Sequence, residues 1–123
     1  MAVNPDPRYA EYFRLFAGEK FFEAHEVLEA LWRETKGKDR DFYQGLIQLA
    51  ASLVHFQRGN SAGAKELFCT ASHYLEPYLP DYQGVDVREI LKDFRDFLGV
   101  WSQHLNDPSF VQNRLPKIAL HKI

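Results

Sequence analysis

Apolar residues recur three and four positions apart through most of the chain, the spacing of helices that bury one face. Tyr9, Tyr12, Phe13 and Phe16 follow that spacing directly after Asp6-Pro7, a good N-cap with proline at the first helical position, and Gly18 can end the helix. A second helix is predicted over about 20–35, stopped by Gly37, and a third over about 40–58, capped by Asp39 and followed by Gly59-Asn60. A fourth covers about 62–79, perturbed by Pro77 and stopped by Pro80. The fifth, over about 86–106, has the clearest pattern. Asp86 and Glu89 form a capping box, and Val87, Ile90, Leu91, Phe94, Leu98, Trp101 and Leu105 share one stripe.

No segment sustains the period-two alternation of a half-buried strand. The prediction is therefore all-α: a single-domain bundle of about five helices over residues 1–123, joined by short turns. "GEKFFEAHEVLEAL" and "GNSAGAKELFCTA" both run from a glycine turn into an alanine-bearing helix, which suggests stacked helical hairpins. The tail, residues 107–123, lacks a helical period. It carries Phe110, Val111, Leu115, Ile118 and Leu120, so it is expected to pack back on the bundle.

Composition changes this picture in two places. Aromatic residues at 15% predict several large rings in the core, and a net charge of -2 argues against nucleic acid or an anionic membrane as partner. A single cysteine cannot close an internal disulfide, which favours a reducing, cytoplasmic setting. Cys69, among Leu67, Phe68 and Ala71, reads as a small buried hydrophobe. The longest segment without a charged residue, 42–57, is too short and too polar to span a bilayer.

That same segment raises the question of function. Gln44, Gln48 and His55 fall within about 40° of one another on a helical wheel, with Ala51 between them. On the second helix His25 lies inside the apolar arc beside Phe21 and Trp32, Glu29 sits at its edge, and Glu26 points outward. A buried amide or imidazole without a partner costs roughly 1–3 kcal/mol, so the two polar edges are expected to meet. The expected cluster is His25, Glu29, Gln44, Gln48 and His55, with Trp32 as its lid.

Two histidines and a carboxylate suffice for Zn²⁺ or Fe²⁺ with open positions, and a carboxylate can also orient a histidine for acid–base work. His25, Glu29 and His55 are accordingly the metal and catalytic candidates, with Glu26, Trp32, Gln44 and Gln48 as ligand-binding candidates. The alternative is a satisfied polar network that fixes helix register. "HEVLE" lacks the second histidine of the zinc-protease motif, and no Glu-x-x-His pair of a di-iron bundle occurs. His73 shares a face with Glu66 and Glu76 and reads as exposed, while His104 and His121 have no evident partner.

"GEKFFEAHEVLEALW" followed by "FYQGLIQLAASLVHFQRGNSAGA" resembles a family of small helical proteins catalogued only as a domain of unknown function, number 309, over about 12–79. The closing "LPKIAL" is similar to that family's tail. The resemblance implies an all-α bundle and points to His25, Glu26, Glu29, Trp32, Gln44, Gln48 and His55, but brings no activity or cofactor. Two functions remain open: a binding or scaffold module for a peptide, protein or small molecule beside Trp32, and a metal-dependent or acid–base, hydrolase-like enzyme built on His25, Glu29 and His55.

Overall fold

Asp6 begins the first helix as predicted: its carboxylate accepts from the Arg8 amide at 2.9 Å and Pro7 takes the first helical position. The computed structural model describes residues 3–103 and 115–120, with the backbone alone at 102–103. Its elements are α1 (Pro7–Ala17), α2 (Phe21–Glu34), α3 (Asp39–Gln57), α4 (Ser61–Leu75), a single 3-10 turn (Glu76–Tyr78) and α5 (Val87–Gln103). Beyond these, Tyr82 and Val85 form an isolated antiparallel bridge, closed by positive-φ backbone at Gln83 and Gly84.

The all-α expectation holds, with one boundary corrected. α4 ends at Leu75 rather than near residue 79, and the 3-10 turn replaces its last part. Pro77 has no amide to donate and its ring crowds the preceding turn, so the α ladder cannot continue through it. At α5, Asp86 caps as expected, accepting from the Glu89 amide at 2.9 Å. The predicted end of that helix near residue 106, with Leu105, lies outside the described residues.

α3 is the central helix. Toward α1 it presents Tyr43 to Tyr9, rings 5.7 Å apart, and the Leu46 carbonyl to the Tyr12 hydroxyl at 2.6 Å. Toward α5 it presents Phe56, edge-on to Phe97 and Trp101 at 5.1 and 4.7 Å. Toward α4 it presents Gly45, where a Cβ would stand 2.5 Å from Leu75 Cγ. α2 runs back along it, tied at one end by Gln57 Nε2 donating to the Glu19 carbonyl at 3.4 Å. The result is two layers. α2, α3 and α4 form one, with α3 in the middle; α1 and α5 lie across its inner side, joined through Phe16 and Phe94.

The core is one continuous cluster that runs through all five helices and includes Leu115 and Ile118 of the tail, so the expected packing of that segment is found there. Phe110 and Val111 lie outside the described residues. Cys69 corrects the sequence reading, because it is exposed. α4 buries Ala64, Phe68, Ala71 and Leu75, and the residue after Phe68 is turned about 100° away from that face.

One buried polar group escaped the sequence reading. Gln83 is 5% exposed. Its carbonyl accepts from the Tyr9 hydroxyl at 2.8 Å and its side-chain oxygen from the Tyr43 hydroxyl at 3.2 Å, while Tyr43 in turn accepts from Asn4 at 2.7 Å. Burial pushes the Tyr9 hydroxyl well above its usual range, so it stays a donor at any physiological pH.

Two predictions follow from these contacts. Gly45→Val should destabilise by about 1–3 kcal/mol in urea denaturation, as an overpacked core position, because Leu75 is fully buried and has nowhere to go. Hydrogen bonds from the Arg8 side chain and amide hold the Asp6 carboxyl at about 2, against 3.8 when free. A depressed carboxylate contributes stability above 3.8 that is lost as pH falls through about 2. Thermal melts of Asp6→Asn should therefore lose less than wild type across that acid interval.

Candidate functional site

α2 is made of good helix formers, and which face it buries decides where its polar residues go. Phe21, Ala24, Leu28 and Leu31 are buried. One flank, through Val27, borders α1 in a cleft of about 600 Å³ with Pro7 and Ala10. The arginines there are already committed, Arg8 to Asp6 and Glu34, Arg14 to Glu11. The opposite flank carries His25, Glu29 and Trp32, all half-buried, and borders α3. Arg40 of α3 places its guanidinium 4.2 Å from the Trp32 ring centroid and donates to the Thr35 carbonyl at 3.2 Å.

The polar line of α3 lies in the same region. Among residues 42–56 of that helix only Gln44, Gln48, Ala51 and His55 are half-exposed; the others are buried. On the wheel this line is opposite the direction of Tyr43, Leu46 and Phe56, which face α1 and α5. It is therefore the floor of a trough on the outer side of the α2–α3–α4 layer. α4 forms the second wall: a Cβ at Gly63 would meet His55 Nδ1 at 2.8 Å, and that nitrogen lies 3.0 Å from Asn60 Nδ2.

The structure brings some of the predicted residues together and separates others. His25 Nε2 is 3.4 Å from Glu29 Oε2, so the pair on α2 forms. Glu29 is shared, because its other oxygen accepts from Arg33 at 2.6 Å. His55 instead pairs with Asn60 at the α3–α4 turn, and among the described residues no group of three or more His, Cys, Asp or Glu is arranged to hold a metal ion. The expected convergence of His25, Glu29 and His55 on one ion is corrected accordingly.

Gln44 and Gln48 find no hydrogen-bond partner among the described residues, where buried partners were expected; their line faces outward because α1 and α5 take the other side. Glu26 is exposed, as the wheel has it, and so is His73. His104 and His121 lie outside the described residues. Trp32 is a half-buried wall rather than a lid.

Two features of this face were missed. Phe22 is 47% exposed and its ring lies 5.8 Å from that of His25. On the wheel it lies about 100° from Phe21, at the edge of the buried face of α2 beyond His25. Arg40 over Trp32 had no signal in the sequence, because their pairing depends on the turn between α2 and α3. The most informative atoms are two nitrogens: His25 Nδ1 and Trp32 Nε1 are both buried and have no hydrogen-bond partner. With the imidazole proton on Nε2, toward Glu29, Nδ1 is an acceptor, and the indole N–H is a donor only.

An all-α bundle with a polar outer trough is what the fold and site define. Residues 9–67 match the model of the family described as a domain of unknown function (DUF309), so this segment is similar to that family. The chain is 41% identical over 70 residues to an uncharacterized protein of Bacillus subtilis, YpuF, covering 55% of this chain and 40% of that one. An uncharacterized protein of Aquifex aeolicus is 29% identical over 80 residues, covering 64% of this chain and 24% of that one. The chain thus matches well under half the length of these curated relatives. Among the described residues no helix is long and apolar enough to cross a membrane.

Trp32→Phe should change stability by less than about 1 kcal/mol, or raise it, when measured by urea denaturation. The substitution keeps an aromatic ring in a half-buried wall and removes a buried donor whose unmet bond costs about 1–3 kcal/mol. A loss of about 3 kcal/mol or more, the range of core aromatic truncations, would place Trp32 in the core instead.

Proposed function

We propose that this chain is a binding module that seats a polypeptide segment or small ligand in the trough along α3. The observation that carries this reading is the pair of unpartnered buried nitrogens, His25 Nδ1 and Trp32 Nε1, on a half-exposed wall. Folded chains pair nearly all buried polar atoms, and a ligand that supplies the missing partners accounts for both. Phe22, exposed beside His25, adds an aromatic anchor at the rim. The single exposed cysteine supports a reducing, cytoplasmic setting.

The acid–base reading rests on the His25–Glu29 contact alone. It lacks a nucleophile in contact with His25 among the described residues, and the binding reading uses the same residues with fewer requirements.

A photo-crosslinking amino acid placed at position 22 or 48 should capture the same cellular partner from both sites. The same group at Lys92, an exposed position on α5, should not capture it. Capture that is equal at all three positions, or absent from the trough, rejects the binding reading.

A further inference from the structure

We infer that the trough binds a carboxylate, seated at its Arg40 end; this rests on the binding reading above. Arg40 is half-buried and held from two directions. Its guanidinium carbon lies 4.2 Å from the Trp32 ring centroid, and Nη1 donates to the carbonyls of Trp32 and Thr35 at 3.4 and 3.2 Å. Those carbonyls end α2, where a cation is favoured, but capping them occupies only this one nitrogen. The other edge of the fork, Nε and Nη2, makes no hydrogen bond or ion pair among the described residues. Parallel N–H groups on a planar fork match the two oxygens of a carboxylate, and the ring beneath keeps that plane in place.

A second donor stands beside the fork. Trp32 Nε1 belongs to the ring that the guanidinium covers, so the two groups lie within about 6 Å of each other. Its N–H is buried without a partner. A group that only donates needs an acceptor, and an ionised oxygen is the strongest one available. The acids nearby are mostly committed: Asp39 accepts from the Tyr82 hydroxyl, Glu34 from Arg8 and Glu29 from Arg33. Asp41 is exposed, turned about 100° from Arg40 on α3 and beside Tyr78. Lys36 and Lys38, exposed in the turn before α3, have no ion-pair partner among the described residues. The unpaired charge around Arg40 is therefore positive on balance.

The number of fixed cations selects the anion. Only Arg40 is held in place, and one guanidinium balances one charge. A phosphate monoester carries about -1.5 to -2 and would leave much of it uncompensated. Arg58, at the far end of the same line, is exposed, and its side chain makes no hydrogen bond, ion pair or ring contact among the described residues. It is a solvated cation, whereas Arg40 is a positioned one. From Arg40 the body of the ligand would extend past Gln44, one turn along α3 at about 6 Å, toward Gln48.

The test uses the full chain and two kinds of probe, each beside its primary amide: the small acids phenylacetate and hexanoate, and short acetylated peptides with a free carboxyl terminus. Binding is read by ligand-detected NMR and isothermal titration. At least one acid should bind, with its amide about tenfold weaker, and the probe that binds separates a free small acid from a chain terminus as the source. Arg40→Lys, which keeps the charge and loses the fork, should weaken that acid about tenfold. Trp32→Phe should weaken it about 3- to 10-fold, and Arg58→Gln should leave it unchanged. Circular dichroism checks each variant; if Arg40→Lys does not fold, the comparison of acid with amide decides. Equal binding of acid and amide, indifference to a folded Arg40→Lys, or tighter binding of inorganic phosphate than of every acid overturns the inference. So does the absence of any bound acid at about 1 mM. The binding reading itself then stands or falls on the cross-links from positions 22 and 48.

Discussion

A helix without a single Asp, Glu, Lys or Arg from Phe42 to Gln57 cannot stand at a surface, and the rest of the molecule is arranged around covering it. α1 covers it through Tyr9 and Tyr12, α5 through Phe97 and Trp101, and α4 through the socket at Gly45. With α2 on the remaining flank, the four other helices still leave one side of α3 uncovered. What remains open is the outer line of α3, and the chain has placed there the only polar side chains that helix contains apart from Tyr43, Ser52 and those at its ends.

Most of the fold was legible because the periodicity of each helix is strong and its stop signals are local. Asp6-Pro7, Asp86 and the glycine turns act within a few residues, so helix boundaries fell close to prediction except at Pro77. Cys69 has apolar neighbours in sequence but not in space: Phe68 and Ala71 face the core while Cys69, between them, faces out. Gln83 was invisible for a different reason. Its partners, Asn4, Tyr9 and Tyr43, come from distant parts of the chain, and nothing in a short window signals their meeting.

The site was half legible. The wheel puts His25, Glu29, Gln44, Gln48 and His55 at the edges of buried faces, where all are half-buried, and the pairing of His25 with Glu29 follows from their spacing. A polar line on an apolar helix need not be sealed. A half-exposed line has another outcome available, which is to face water until something replaces it, and Gln44 and Gln48 take that course. His55 then needs no long-range partner, because Asn60 at the following turn is already within reach.

The contact at Gly45 has a mechanical consequence. A side chain seated where a Cβ would otherwise be acts as a ball in a socket: it stops α4 from sliding along α3 and holds the two axes close. α2 has no such joint. It is fastened near its two ends, by Arg40 to the Thr35 carbonyl and by Gln57 to the Glu19 carbonyl, with side-chain packing between. α4 is thus interlocked with α3 at a point, whereas α2, the helix that carries Phe22, His25 and Trp32, is held to it by a packed face and by bonds near its ends.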